Sequence, residues 1–145
     1  MAVLRTQPYG NAQFTVEIDG LAEAAFDQVL LPEVGVEVIE YREGGDRERT
    51  SRKMPGLQKF SNIVLRRGYT GSLSLYEWME QTRQGDGDSL RSVAVTLFDE
   101  ERNPVTRWLF RNAFPVQHTF SLLDAMDGGT LVEQLELAFD TCEME

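Results

Sequence analysis

The chain has one cysteine, Cys142, and one histidine, His118, in 145 residues. A single thiol forbids an internal disulfide and gives no sign of an oxidising compartment. A lone histidine without a Cys or His partner at ligand spacing reads as a packed or surface residue, not a metal ligand or general base. Long apolar runs are also missing. Nothing approaches the roughly 20 residues that span a bilayer, and Met1 to Pro8 lacks the apolar centre of a signal peptide, so synthesis in the cytoplasm is expected. Basic side chains are scarce: 14 Lys and Arg face 24 Asp and Glu, a net charge of −10. That balance argues against a general nucleic-acid binder and for a soluble, self-repelling monomer.

What is present is a sufficient core and a β pattern. Hydrophobic residues make up 41% of the chain and charged residues 26%, ordinary for one globular domain spanning 1–145. Residues 1–12 show no periodicity and read as an extended N-terminal arm. Phe14, Val16 and Ile18 alternate with Thr15, Glu17 and Asp19; Val34, Val36 and Val38 alternate with Gly35 and Glu37. Val93, Val95 and Leu97 alternate with Ala94, Thr96 and Phe98, and Val116, His118, Phe120 and Leu122 alternate next, while Phe60 to Arg67 and Val105 to Arg111 also read as strands. Pro115 separates the last two runs. A final run puts Leu131, Leu135, Leu137 and Phe139 on one face, with Glu133 as an exception. Residues 21–33 suggest a helical turn or loose connection ended by Pro32. One convincing helix starts at Ser74, with a capping-box pattern to Glu77, and stops at Gly85. About seven short strands and one helix favour an antiparallel β-barrel or sandwich.

No catalytic constellation, cofactor motif or metal set emerges. Gly68 to Ser72 precedes the helix but lacks the lysine of a phosphate loop. Asp86-Gly87-Asp88 has no bidentate glutamate at calcium-loop offset. Asp99-Glu100-Glu101 reads as a solvated turn, and Trp78 and Trp108 read as core.

The unusual stretch is residues 40–59, which read as a long charged inter-strand loop. Most hairpins turn in two to five residues. Glu40, Glu43, Asp46 and Glu48 are set against Arg42, Arg47, Arg49, Arg52, Lys53 and Lys59. The reading is either a surface loop or an arm that orders on a neighbour. Mixed charge gives such an arm register. The acidic C-terminal strand with Glu133, Glu136 and Asp140 is its candidate counter-surface.

Several short motifs then fall in series: Tyr41-Arg42-Glu43-Gly44, Arg52-Lys53-Met54-Pro55-Gly56-Leu57, Leu65-Arg66-Arg67-Gly68, Leu75-Tyr76-Glu77-Trp78, Arg107-Trp108, Arg111-Asn112-Ala113-Phe114-Pro115 and Glu133-Gln134-Leu135-Glu136-Leu137-Ala138. Together they resemble the tail-tube proteins of contractile phages and phage-tail-like injection systems over essentially the whole chain. Two stretches depart from that pattern, Gln117 to Ser121 and Phe139-Asp140. The resemblance implies a β-barrel with a flanking helix, homohexameric rings stacked into a hollow tube, and no enzymatic activity. Sheath, baseplate or tube-initiator, and cap or terminator proteins would be the partners. A protein effector or DNA would be the luminal cargo, and the product would be a particle component, extracellular after release. Inter-ring contacts are assigned to Arg42, Glu43, Arg47, Arg49, Arg52, Lys53 and Leu57. Two other readings stay open: a tube-initiator ring at the baseplate, and a monomeric β-barrel binding module using a cleft beside Trp78.

Overall fold

The computed structural model describes residues 2–19, 21, 25–42, 44, 45 and 51–145. The alternating runs form an antiparallel sheet in the order β1 (Phe14–Ile18), β6 (Arg91–Phe98), β7 (Pro104–Phe120), β8 (Val132–Ala138), β5 (Ile63–Gly68), β2 (Gln28–Leu30). A short β9 (Thr141–Met144) continues along β7, pairing Phe110 with Cys142. β3 (Val34–Tyr41) and β4 (Arg52–Phe60) form a separate two-stranded hairpin. The one α-helix among the described residues, α1, is Ser74–Arg83.

β7 is the organising strand. The sequence suggested two strands broken at Pro115, but one strand of 17 residues runs through it. Its first half pairs with β6 and its second half with β8. Between them the backbone bends: Asn112 has φ 55, and the β8 register shifts between Pro115 and Gln117. A bulge accommodates the proline, which cannot donate to the ladder. The bend folds the sheet over one core that joins Val16 and Ile18 of β1, Val93 and Val95 of β6, Ile63 and Leu65 of β5, and Leu135 and Leu137 of β8. The result is an open barrel whose edge strands are β1 and β2. Residues 28–30, expected in a loose connection, pair with β5.

The helix closes one side. Trp78 and Leu75 are fully buried, and the Trp78 indole donates to the Ser89 carbonyl at 2.6 Å. Trp78→Phe keeps an aromatic ring but orphans that buried carbonyl, so a loss of about 1–3 kcal/mol is expected in urea unfolding. The capping box is not formed. Leu73 is the N-cap, with no side-chain bond, and the Ser74 hydroxyl instead meets Ser72 and Arg67. The C-terminus ends as Gly85 foretold. Gly85, at φ 74, donates to Thr82 and Asp86 donates to Gln81, the paired bonds of a Schellman stop.

The N-terminal arm lies along the β6–β7 end. Val3 donates to the Val105 carbonyl, and the Arg5 guanidinium sits 3.9 Å from the centre of the Tyr9 ring. Arg5 also holds both oxygens of Glu100, at 2.8 and 2.9 Å. That hydrogen bond brings the Glu100 carboxyl down to about 2 from the usual 4.5. A carboxylate depressed on folding contributes above its unfolded pKa and loses the contribution as pH falls through the folded one. Arm docking should therefore be intact above about pH 4.5 and weaken toward about pH 2. An NMR titration should place the Glu100 midpoint near 2, and Arg5→Ala should return it to the ordinary carboxylate range.

Candidate assembly surface

The β3–β4 hairpin emerges where Ser61 donates to the Glu33 carbonyl and Ile63 pairs with Leu137. Its base is anchored: the Phe60 ring lies 5.3 Å from Phe139, which in turn contacts Phe110. No residue of either strand belongs to the hydrophobic core. Both faces are exposed, and both carry apolar side chains among charged ones, Glu40 and Lys53 on one and Glu37, Arg52 and Lys59 on the other. Val34, Val36, Val38 and Pro55 share one face. Ile39, Tyr41, Met54 and Leu57 share the other, with Leu57 73%, Val34 66% and Val38 61% exposed. A slip between Val36 and Val38 sets Gly56 and Leu57 against the single residue Glu37. A Cβ on Gly56 would stand 3.0 Å from the Ile39 side chain and 3.3 Å from Glu37 Cβ, so a larger residue at that bulge would have to push the exposed Ile39 side chain aside.

The stretch read as a loop over residues 40–59 is therefore mostly strand; only residues 42–51 connect β3 to β4. The charges and the Pro-Gly pair pointed to a loop for a physical reason. On a hairpin open to water, Lys and Arg cost nothing to place, and β4 has a free edge that tolerates Pro55. Of the residues assigned to inter-ring contact, Arg42 is exposed just beyond β3. Arg52 lies opposite Tyr41, Lys53 opposite Glu40, and Leu57 on the Ile39 face. Glu43, Arg47 and Arg49 lie outside the described residues. The sequence reading missed the apolar half of this surface. Its signal was present in the Val34–Val36–Val38 alternation and in Ile39, Tyr41, Met54 and Leu57, hydrophobic residues with no core left to enter.

The expected acidic counter-surface needs correction at Glu133. Its side chain is 1% exposed, held at 2.9 Å by Arg67 Nε and at 2.8 Å by His118 Nε2. It completes a buried polar node and presents no surface. Glu136 is half-buried, 3.5 Å from the Asn62 amide. Asp140 is exposed and accepts from Asn112 at 2.9 Å. Trp78, expected to border a binding cleft, is fully buried. A cavity of about 710 Å³ lies elsewhere, between the arm and the two sheet edges, lined in part by Phe14, Val29, Leu31, Leu97 and Trp108. Among the described residues no group of three His, Cys, Asp or Glu could hold a metal ion, and no helix is long and apolar enough to cross a membrane.

The fold has solved counterparts. A chain in the cryo-EM structure of the sheath–tube complex of an extracellular contractile injection system, PVC, in its extended state superposes with TM-score 0.82 at 25% identity, covering 95% of this chain and 91% of that one. A chain in the PVC sheath/tube terminator structure gives 0.84 at 25% identity, covering 97% and 98%. A chain in the baseplate of the anti-feeding prophage gives 0.82 at 24%, covering 97% of each. No curated protein matches the chain. The model of the T4-like virus tail tube protein gp19 family matches residues 10–143. With nearly the whole domain inside that match, and an antiparallel barrel bearing one helix and an uncovered hairpin, the chain belongs to the T4-like virus tail-tube protein family.

Proposed function

We propose that this chain is the inner-tube subunit of a contractile injection system. Six copies close into a ring, rings stack into a hollow tube, and contraction of a surrounding sheath drives that tube through a target envelope. The observation that carries this reading is the β3–β4 hairpin. An isolated two-stranded hairpin is marginal in water, and this one exposes seven large apolar side chains on two faces. Among the described residues the barrel covers none of them, so neighbouring copies would. Ring closure would use the free edges of β1 and β2. A heterologous contact around the axis closes, and a second one along the axis propagates. Arg42, Glu43, Arg47, Arg49, Arg52, Lys53 and Leu57 would act on the axial contact. Sheath, baseplate and cap proteins would complete the particle, and the tube would carry a protein effector or DNA.

Expression of this chain alone tests the proposal. Concentrated protein should form rings of six times 16.5 kDa and then tubes in negative stain. Rings that never stack would favour the baseplate-initiator reading. A mass that stays monomeric at every concentration would sink both.

A further inference from the structure

An axial contact made by the hairpin needs a receiving surface on the next copy, and the barrel carries one at its opposite end. The β5–β8 ladder fixes the geometry. Its Ile63–Leu137 end is the hairpin's base, and its Gly68–Val132 end abuts the β7–β8 turn, residues 121–131. This turn is well built. Ser121 and Val132 bond each other through backbone and hydroxyl, Asp124 accepts from the Met126 amide at 3.0 Å, and Gly128 takes φ 62. On that frame Leu122 is 86%, Leu123 81% and Met126 94% exposed. The adjoining Phe120 and Tyr69 rings meet edge to face and are themselves exposed. Asp124 and Asp127 are the only charged residues in the turn.

We propose that this apolar, acidic turn of one copy docks on the Ile39–Tyr41–Met54–Leu57 face of the hairpin of the next copy along the tube. Three features argue for a second copy of this chain as the occupant. Both surfaces expose apolar side chains. Their charges are complementary: the hairpin face carries Arg52 and the Lys59–Glu37 ion pair, a net positive charge, where the turn carries only aspartates. The two lie at opposite ends of one ladder, the arrangement a head-to-tail contact needs in order to propagate. Burying three side chains this exposed is also where most of the stacking free energy would arise.

This inference rests on the tube reading, and its tests separate the two. Leu122→Ser/Leu123→Ser/Met126→Ser should fold as the wild type does, still form rings, and raise the concentration needed for stacking by at least about tenfold. Wild-type tubes from that variant would overturn the docking assignment while leaving the hairpin reading intact. The contact can also be trapped directly. In a Cys142→Ser background, Leu57→Cys and Met126→Cys in the same chain, treated with a short bismaleimide, should give a ladder of covalent oligomers. Mixing the two single variants should stop at dimers. Tubes that assemble but give no cross-link would overturn the assignment. Absence of any assembly in the wild type would instead overturn the tube reading beneath it.

Discussion

Glu133→Ala is expected to cost about 3–5 kcal/mol of unfolding free energy, a large share of the roughly 5–15 kcal/mol such a domain has. The reason is what the substitution leaves behind. Arg67 and Glu133 face each other across β5 and β8, with side chains 7% and 1% exposed. Removing the carboxylate strands a guanidinium whose remaining partners are the Ser74 hydroxyl at 3.4 Å and the face of Phe26 at 5.5 Å. It also removes the acceptor for His118 on β7. One side chain thus ties β5, β7, β8 and, through Ser74, the start of α1. Glu133→Gln should recover part of the loss, since its carbonyl can still accept from Arg67. Replacing the whole node with apolar side chains, Arg67→Met/His118→Phe/Glu133→Leu, should come back close to wild type, because desolvating charges offsets most of their attraction. Urea unfolding of the three variants decides it: a Glu133→Ala loss below about 1 kcal/mol would show that the pair is no better than a surface bridge.

That node also marks where the sequence stopped being readable. Elements that alternate against a core were legible: β1, β6, β8 and the helix stop at Gly85 depend on local pattern. Glu133 stood out as a charge on an apolar face, but its explanation lies 66 and 15 residues away at Arg67 and His118, and only the sheet brings them together. Pro115 looked like a break because proline cannot donate to a ladder; the bulge that absorbs it is set by β8. The candidate assembly surface was half legible. Its charges were seen and taken for a loop, since apolar residues with no core partner give a single chain no reason to be ordered. The length and mixed charge of residues 40–59 marked the stretch, while the pairing of Ile39 with Met54 showed exposed apolar side chains standing beside those charges.

The second large effect concerns that surface. Ile39→Asp/Leu57→Asp is expected to abolish stacking without lowering the stability of the barrel. Both side chains point to one face of the hairpin, both are exposed in the single chain, and neither belongs to the core; surface substitutions of this kind shift stability by about 0.5 kcal/mol or less. In a stacked tube the same positions would be buried. Losing two buried aliphatic side chains forfeits about 3–6 kcal/mol per contact, or roughly two to four decades in the association constant, and two uncompensated carboxylates make the loss larger. In the proposed six-membered ring the contact would recur at every subunit, so even a modest fraction of that penalty would block growth. Sedimentation and negative stain should therefore show rings at concentrations where the wild type is fully tubular, with an unchanged urea midpoint. A charge-only variant, Lys53→Ala/Lys59→Ala, should slow growth and make it less salt-sensitive while tubes still form, because exposed charges steer encounter more than they hold it. Reversal of that order, with the charge variant blocking tubes and the aspartate pair sparing them, would place the holding free energy in the charges and not in the apolar face.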